Sequence, residues 1–341
     1  MYSNEKKINK YFFYWLVLSL FLVYLIIFIG GLTRLTNSGL SITEWELIKG
    51  ILPPLNSNSW ENYFEEYKNI PQYKLLNFDM TLNEFKIIFY WEYFHRFLAR
   101  IIGIFFLIPL IYFYFSKKIK IEYLKICFLV FSLIIIQGIV GWYMVKSGLI
   151  DDVTVSHYRL SIHLSIAILI ISIIFWLIKN VVNKKNKSFF KFSFRNFFFQ
   201  FFILIIFLQV IIGAFVSGLD AGKIYQTWPK MGQTYFPDDI ILDNYKNLFE
   251  FDSHSLIQFY HRILAYLIIF YSLVLSMFIY YKKKKYLYKS IKILIFFLFL
   301  QISLGICTLI SGLNIYLASM HQLTSVLLVF SALNLYFLRC K

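Results

Sequence analysis

Cysteine is scarce in this chain: Cys127, Cys307 and Cys340 are the only three in 341 residues. None belongs to a CxxC pair and none falls in a segment read below as an outer loop. A disulfide framework and a cysteine zinc site are therefore both excluded, and the three thiols read as packing residues. Charge is scarce as well, at 15% of residues, against 59% hydrophobic and 21% aromatic. A soluble domain cannot be that apolar. Acids number 18 against 34 lysines and arginines, a formal net charge of +16, which on its own would suggest a nucleic-acid partner. The arrangement of the basic residues excludes it, because they are confined to alternate segments of the chain.

What the chain has in quantity is long apolar runs, and a run of about 20 residues spans a bilayer. Eight such spans are expected, at 11–31, 94–115, 121–143, 156–179, 197–217, 256–281, 289–311 and 315–338. The fold class is thus an all-α polytopic membrane protein with eight transmembrane helices. Lys6, Lys7 and Lys10, then Lys117, Lys118 and Lys120, then Lys184 to Arg195, then Lys282 to Lys285 and Lys289, then Arg339 and Lys341 fall on one set of connections. The positive-inside rule makes that set cytoplasmic and puts both termini there. The first run has no small-residue cleavage site before Gly30 and reads as a retained helix, and no Arg- and Ser-rich leader precedes it, which favours a bacterial inner membrane.

Internal repetition divides the chain. Glu92 to Ala99 (EYFHRFLA) matches Gln258 to Ala265 (QFYHRILA), and Gln137 to Gly141 (QGIVG) matches Gln301 to Gly305 (QISLG). The expectation is two pseudo-symmetric four-helix bundles. One half would cover 1–180, a basic linker 181–196 and the other half 197–341. Four spans per half make these parallel repeats, unlike the inverted repeats common in transporters. Loop 32–93 is long, with amphipathic stretches at Trp60 to Tyr67 and Leu82 to Phe89, and loop 218–255 is shorter. Long ordered loops often cover a site.

Four of the six histidines, His95, His163, His261 and His321, sit near the outer end of a span with a small residue four positions later, Ala99, Ala167, Ala265 and Ser325. Positions i and i+4 share a helix face, so each imidazole stands over a notch where a flat macrocycle could lie. A lone histidine at a helix end is more often interfacial, but four in matching places of two repeats point to two bis-histidine heme sites. His157 and His254 lack the pattern and read as solvated. Gly103, Gly141, Gly213 and Gly305 read as close-packing positions. Arg96, Arg159 and Arg262 flank the histidines where heme propionates would emerge, a geometry that suits bidentate pairing, although snorkelling arginines would look the same. Glu92 lies one turn before His95, where the other half has Gln258, so porphyrin chemistry is expected in the first half.

The run Gly30 to Ser41 (GGLTRLTNSGLS) followed by Trp45, then Leu52 to Leu55 (LPPL), Trp91 to Arg96 (WEYFHR), Tyr158 before His163, and Tyr260 to Arg262 (YHR) resemble the heme A synthase family over essentially the whole chain. The resemblance implies oxidation of the C8 methyl of heme O to a formyl group through successive hydroxylation and dehydration. It implies that His95 and His163 flank the substrate heme, that Glu92 assists the oxidation, and that His261 and His321 hold a heme B. Heme O synthase and a membrane electron donor follow as expected partners alongside the lipid bilayer, and a homo-oligomer is compatible with the resemblance. Some relatives carry a redox cysteine pair in the first outer loop; this chain has none there, which rules out a disulfide-relayed electron route. The alternative reading is a di-heme b-type electron carrier, disfavoured because all four ligands fall at one expected depth. A transporter would need helices broken at mid-membrane, and the spans read as continuous.

Overall fold

A computed structural model describes residues 2–45, 49–150, 153–189, 191–240 and 248–340. Among them the chain is helical, with one isolated bridge between Met231 and Thr234 and no strand. Eight helices are long and apolar enough to cross a membrane. They are α1 (Tyr2–Leu35), α4 (Leu82–Ser116), α5 (Ile121–Gly148), α6 (His157–Val182), α7 (Phe197–Gly218), α8 (His254–Tyr281), α9 (Tyr288–Ile310) and α10 (Ile315–Arg339); α2 (Ser57–Lys68) and α3 (Pro71–Leu76) lie between the first two. The protein is a multi-pass membrane protein. It forms two compact units, Met1–Ile174 and Phe175–Lys341.

Hydropathy locates these spans to within a few residues, with one instructive exception. The second was expected from residue 94, with Leu82 to Phe89 as a loop stretch, but α4 already starts at Leu82. Its N-terminus is a capping box. The Thr81 hydroxyl accepts from the Glu84 amide at 3.4 Å and the Glu84 carboxylate accepts from the Thr81 amide at 2.8 Å, which satisfies two amides that the first turn leaves free. The first turns of α4 are amphipathic and pack on α2, so apolarity alone did not mark them. His95 is consequently well inside a helix.

Pro109 stands inside α4 and cannot donate to the carbonyl of Phe105, four residues earlier. The Trp15 indole of α1 donates to that carbonyl at 3.3 Å. A buried acceptor freed by the proline is thus paired by the helix that α4 packs against, and α4 continues without a break.

In the first unit the described residues between α1 and α4 pack around a buried, largely aromatic cluster that includes Leu40, Trp60, Phe64, Tyr67, Phe85, Phe89 and Tyr93. Tyr67 is fully buried, donates to Gln72 Oε1 at 2.9 Å and accepts from Asn77 at 2.7 Å. Burial pushes its phenol up to about 12. In the second unit Lys187, within the basic stretch 181–196, is held by its neighbours. Lys187 exchanges backbone hydrogen bonds with the Asn180 side chain at 2.8 and 2.9 Å, its carbonyl accepts from Trp176 at 2.7 Å, and its ammonium donates to Phe337 O at 2.7 Å. Burial pushes the Lys187 ammonium down.

Of the thiols, Cys127 is buried, Cys340 half-buried and Cys307 exposed on α9. The exchange of Trp15 for phenylalanine (Trp15→Phe) should lower thermal stability in detergent by about 1 kcal/mol through the orphaned carbonyl. That loss should shrink when Pro109→Ala restores the helical donor.

Candidate functional site

Each of the four histidines seats its ring on a glycine of the preceding long helix. A Cβ built on Gly30 of α1 would lie 2.8 Å from His95 Cε1 of α4, and one on Gly141 of α5 would lie 2.9 Å from His163 Cε1 of α6. In the second unit the corresponding approaches are 3.1 Å from Gly213 of α7 to His261 of α8, and 2.8 Å from Gly305 of α9 to His321 of α10. At Gly30, Gly141 and Gly305 a Cβ would force the ring to move, and at Gly213 the ring would have to give by a few tenths of an ångström. All four imidazoles are half-buried.

These seats change how the small residues are understood. The notch was expected on the histidine's own helix, yet Ala99 is exposed and the closest approach is across the helix pair. Gly141, Gly213 and Gly305 are ring seats and not general packing positions. Gly103 is neither, because a Cβ there would meet nothing within 4 Å. The fourth seat, Gly30, was legible only as the first residue of a motif.

His261 and His321 lie with ring centroids 6.4 Å apart at 71°. One metal atom held between two imidazole nitrogens at about 2 Å each, with each ring centre about 1 Å farther, needs centroids roughly 6 Å apart. The Nδ1 atoms of His95 and His163 are both buried without a hydrogen-bond partner. Among the described residues no cluster of three or more His, Cys, Asp or Glu could hold a bare metal ion. A pair of imidazoles completes the coordination of a metal that arrives with four equatorial nitrogens, so the donor set and the flat, Cβ-free seats fit a heme.

Glu92 is buried and bonded at both oxygens. Oε2 accepts from the Ser41 hydroxyl at 2.8 Å and the Ile42 amide at 2.9 Å; Oε1 accepts from Arg96 at 2.6 and 3.0 Å. Arg96 goes on to the carbonyls of Ile42 at 2.9 Å and Glu44 at 3.3 Å and stacks over Trp45 at 5.2 Å. The residues three before and one after His95 thus clamp the segment that follows α1. The chain reaches them through a left-handed turn at Asn37 (φ +51°), with the Ser38 amide donating back to Thr33 O at 2.9 Å, a Schellman-type stop. This explains much of the Gly30 to Ser41 motif, whose side chains could not be assigned from sequence.

The second unit repeats the clamp without the carboxylate. Gln258 donates to Tyr225 O at 2.9 Å, and Arg262 donates to Tyr225 O at 3.0 Å and Lys230 O at 3.2 Å. The Tyr225 phenol donates to Asp238 and Asp239, and burial followed by those two carboxylates pushes it up. The third arginine, Arg159, donates to the Ser147 hydroxyl and lies over Tyr143 at 5.1 Å. His254 is exposed, as expected, although α8 extends to include it. His157, expected to be solvated, is buried at the start of α6 against Tyr158, because the helix begins there.

The fold and site define a multi-pass helical membrane protein whose two units each carry a pair of glycine-seated imidazoles. The family described as cytochrome oxidase assembly protein matches residues 13–333, and the chain belongs to that family. It is similar to the heme A synthase of Pelagibacter ubique, 47% identical over 331 residues that cover 97% of each chain. It is also similar to those of Flavobacterium psychrophilum, at 39% over 332 residues, and Rickettsia felis, at 40% over 328 residues, each covering 95% of this chain and 96% of the relative.

Gly305→Ala should force the His321 ring off its seat and lower Soret absorbance per protein at least about tenfold, a loss of roughly 1.4 kcal/mol or more in retention. Gly103→Ala should leave it unchanged. The ratio of Soret to protein absorbance in purified samples measures both.

Proposed function

We propose that this chain is a heme A synthase, a membrane-bound oxidoreductase that converts the C8 methyl group of heme O to a formyl group for terminal oxidase assembly. The observation that carries the reading is the difference between the two clamps, an ion-paired carboxylate beside His95 and a neutral amide beside His261. Full-length similarity to heme A synthases supports the same assignment.

In this reading His95 and His163 flank the substrate heme O in the first unit, and His261 and His321 hold a heme B in the second. Bound heme B supplies one-electron redox chemistry. The protein's own contribution is orientation and exclusion of water. Gly30 and Gly141 let two rings approach from α4 and α6, and the Glu92–Arg96 clamp holds Ser41 to Glu44 close to the helix turn that carries His95. Glu92 places a carboxylate one turn from that ligand, where it can hold or hand on a proton during methyl oxidation. Arg96, Arg159 and Arg262 put positive charge near the ligands, suited to carboxylates of the macrocycle. The membrane is a bacterial inner membrane with both termini cytoplasmic. Heme O synthase and a membrane electron donor are the partners this chemistry calls for.

Expression with and without a source of heme O, followed by porphyrin extraction and mass measurement, tests the reading. Heme A is expected only when the source is present. Recovery of heme B alone, with rapid reduction by quinol, would instead identify a di-heme electron carrier. Glu92→Gln should retain heme and lose at least about tenfold of formyl product, because an amide cannot accept at both ends and one donor is left unpaired at a cost of about 1–3 kcal/mol. An unaltered product yield would remove Glu92 from the reaction.

A further inference from the structure

The end of the second unit remote from its histidines gathers positive charge with no acidic side chain to neutralise it. Arg195 lies in the turn Phe194–Asn196 that leads into α7, Lys282 and Lys284 follow α8, and Arg339 ends α10. The chain has no Asp or Glu between Asp152 and Asp220 and none after Asp252. Among the described residues none of these four cations pairs with a carboxylate.

Capping of helix ends does not account for their side chains. The turn after α8 closes through its own backbone: Lys283 is left-handed (φ +48°), its amide donates to Tyr280 O at 2.9 Å, and the Lys284 amide donates to Ile279 O at 3.0 Å, a Schellman motif. The last carbonyls of α10 are used by other donors. The Lys187 ammonium takes that of Phe337 at 2.7 Å, and the Cys340 amide takes that of Tyr336 at 3.0 Å. Arg339 donates to the Arg195 carbonyl at a long 3.5 Å, and its Nε is buried without a hydrogen-bond partner among the described residues.

The cations are nevertheless held together over an aromatic floor. Lys284 Nζ lies over the Phe278 ring at 4.2 Å and the Arg339 guanidinium over the Phe199 ring at 5.8 Å, and the two rings meet edge to face with centroids 6.5 Å apart. Burial, followed by the like charges of Arg339, Lys282 and Arg195, pushes the Lys284 ammonium down. Guanidinium and ammonium donors grouped in this way suit a phosphate, which accepts from several of them at once. An apolar surface adjoins them. Phe197, Phe201, Leu204 and Leu208 are exposed along one face of α7, a stripe about 16 Å long, roughly the depth of one leaflet.

We propose that Arg195, Lys282, Lys284 and Arg339 bind the phosphodiester of an anionic glycerophospholipid whose acyl chain lies along the exposed face of α7. Net charge selects the lipid, because a zwitterionic headgroup would bring its own ammonium to four cations. Basic pockets between membrane helices hold anionic headgroups, and each Lys or Arg adds roughly fivefold in affinity. The bound phosphate supplies the counter-charge that joins the turn before α7 to the ends of α8 and α10. His261 and His321 take no part, since each stands about 20 residues of helix, roughly 30 Å, away along its own chain segment.

Native mass spectrometry of the full-length protein, released from mixed micelles holding equal amounts of phosphatidylglycerol and phosphatidylcholine, tests this. Phosphatidylglycerol should be retained at least about tenfold over phosphatidylcholine. Lys284→Gln and Arg195→Gln should each weaken that retention about fivefold. The Arg195 side chain is exposed and its contact with Arg339 is made by its backbone carbonyl, so its exchange leaves the packing in place. Lys118→Gln, which removes an exposed cation of the first unit, should leave retention unchanged, and so should excess inorganic phosphate. Added phosphatidylglycerol should also raise the thermal midpoint of the unaltered protein more than that of the Arg195→Gln, Lys284→Gln double variant. Equal retention of the two lipids, or a loss with Lys118→Gln as large as that with Arg195→Gln, would overturn the inference. Displacement by inorganic phosphate would overturn it too, in favour of a free-anion site.

Discussion

The contact on which the rest depends is an imidazole ring lying against a helix backbone with no side chain between them. A Cβ at Gly30, Gly141 or Gly305 would come within 3.0 Å of a ring carbon, closer than packed atoms tolerate, and one at Gly213 would come to 3.1 Å. That close approach favours glycine at all four positions and accompanies the pairing of α1 with α4, α5 with α6, α7 with α8 and α9 with α10. Small residues on the histidine's own helix have much less influence, as the exposure of Ala99 illustrates.

The segments before α4 and α8 are held by the same turns of helix. In each unit the residues three before and one after the first glycine-seated histidine, His95 or His261, reach out of the helix and hold the segment arriving from the preceding span, Ser41 to Glu44 in one and Tyr225 to Lys230 in the other. Ligand position and loop position are therefore coupled through a single helical turn. The duplication stops at charge. A carboxylate ion-paired to arginine at 2.6 Å in the first unit is an amide bonded to a carbonyl in the second, the difference on which the proposed catalytic duty of the first unit rests.

The fold was largely legible from the chain, since eight apolar runs and their basic flanks are strong, redundant signals. The start of α4 was not, because its first turns are amphipathic and declare themselves through Thr81 and Glu84 and not through apolarity. The four histidines stood out by repetition, as did Glu92 by its contrast with Gln258. The glycine seats were harder to find, because a glycine's function there depends on what lies across from it. Gln209 to Gly213 repeats the spacing of Gln137 to Gly141 and Gln301 to Gly305, and that recurrence was the available signal. The burial of His157 depends on where α6 begins, which no local pattern announced.

Pulsed electron paramagnetic resonance of the ferric protein, which resolves nitrogen couplings from axial ligands, addresses the arrangement most directly. The low-spin heme proposed for the second unit should show two equivalent imidazole nitrogens, and His321→Ala should remove one of them while His254→Ala removes none. A spectrum with a single imidazole coupling, or one insensitive to His321→Ala, would contradict the account.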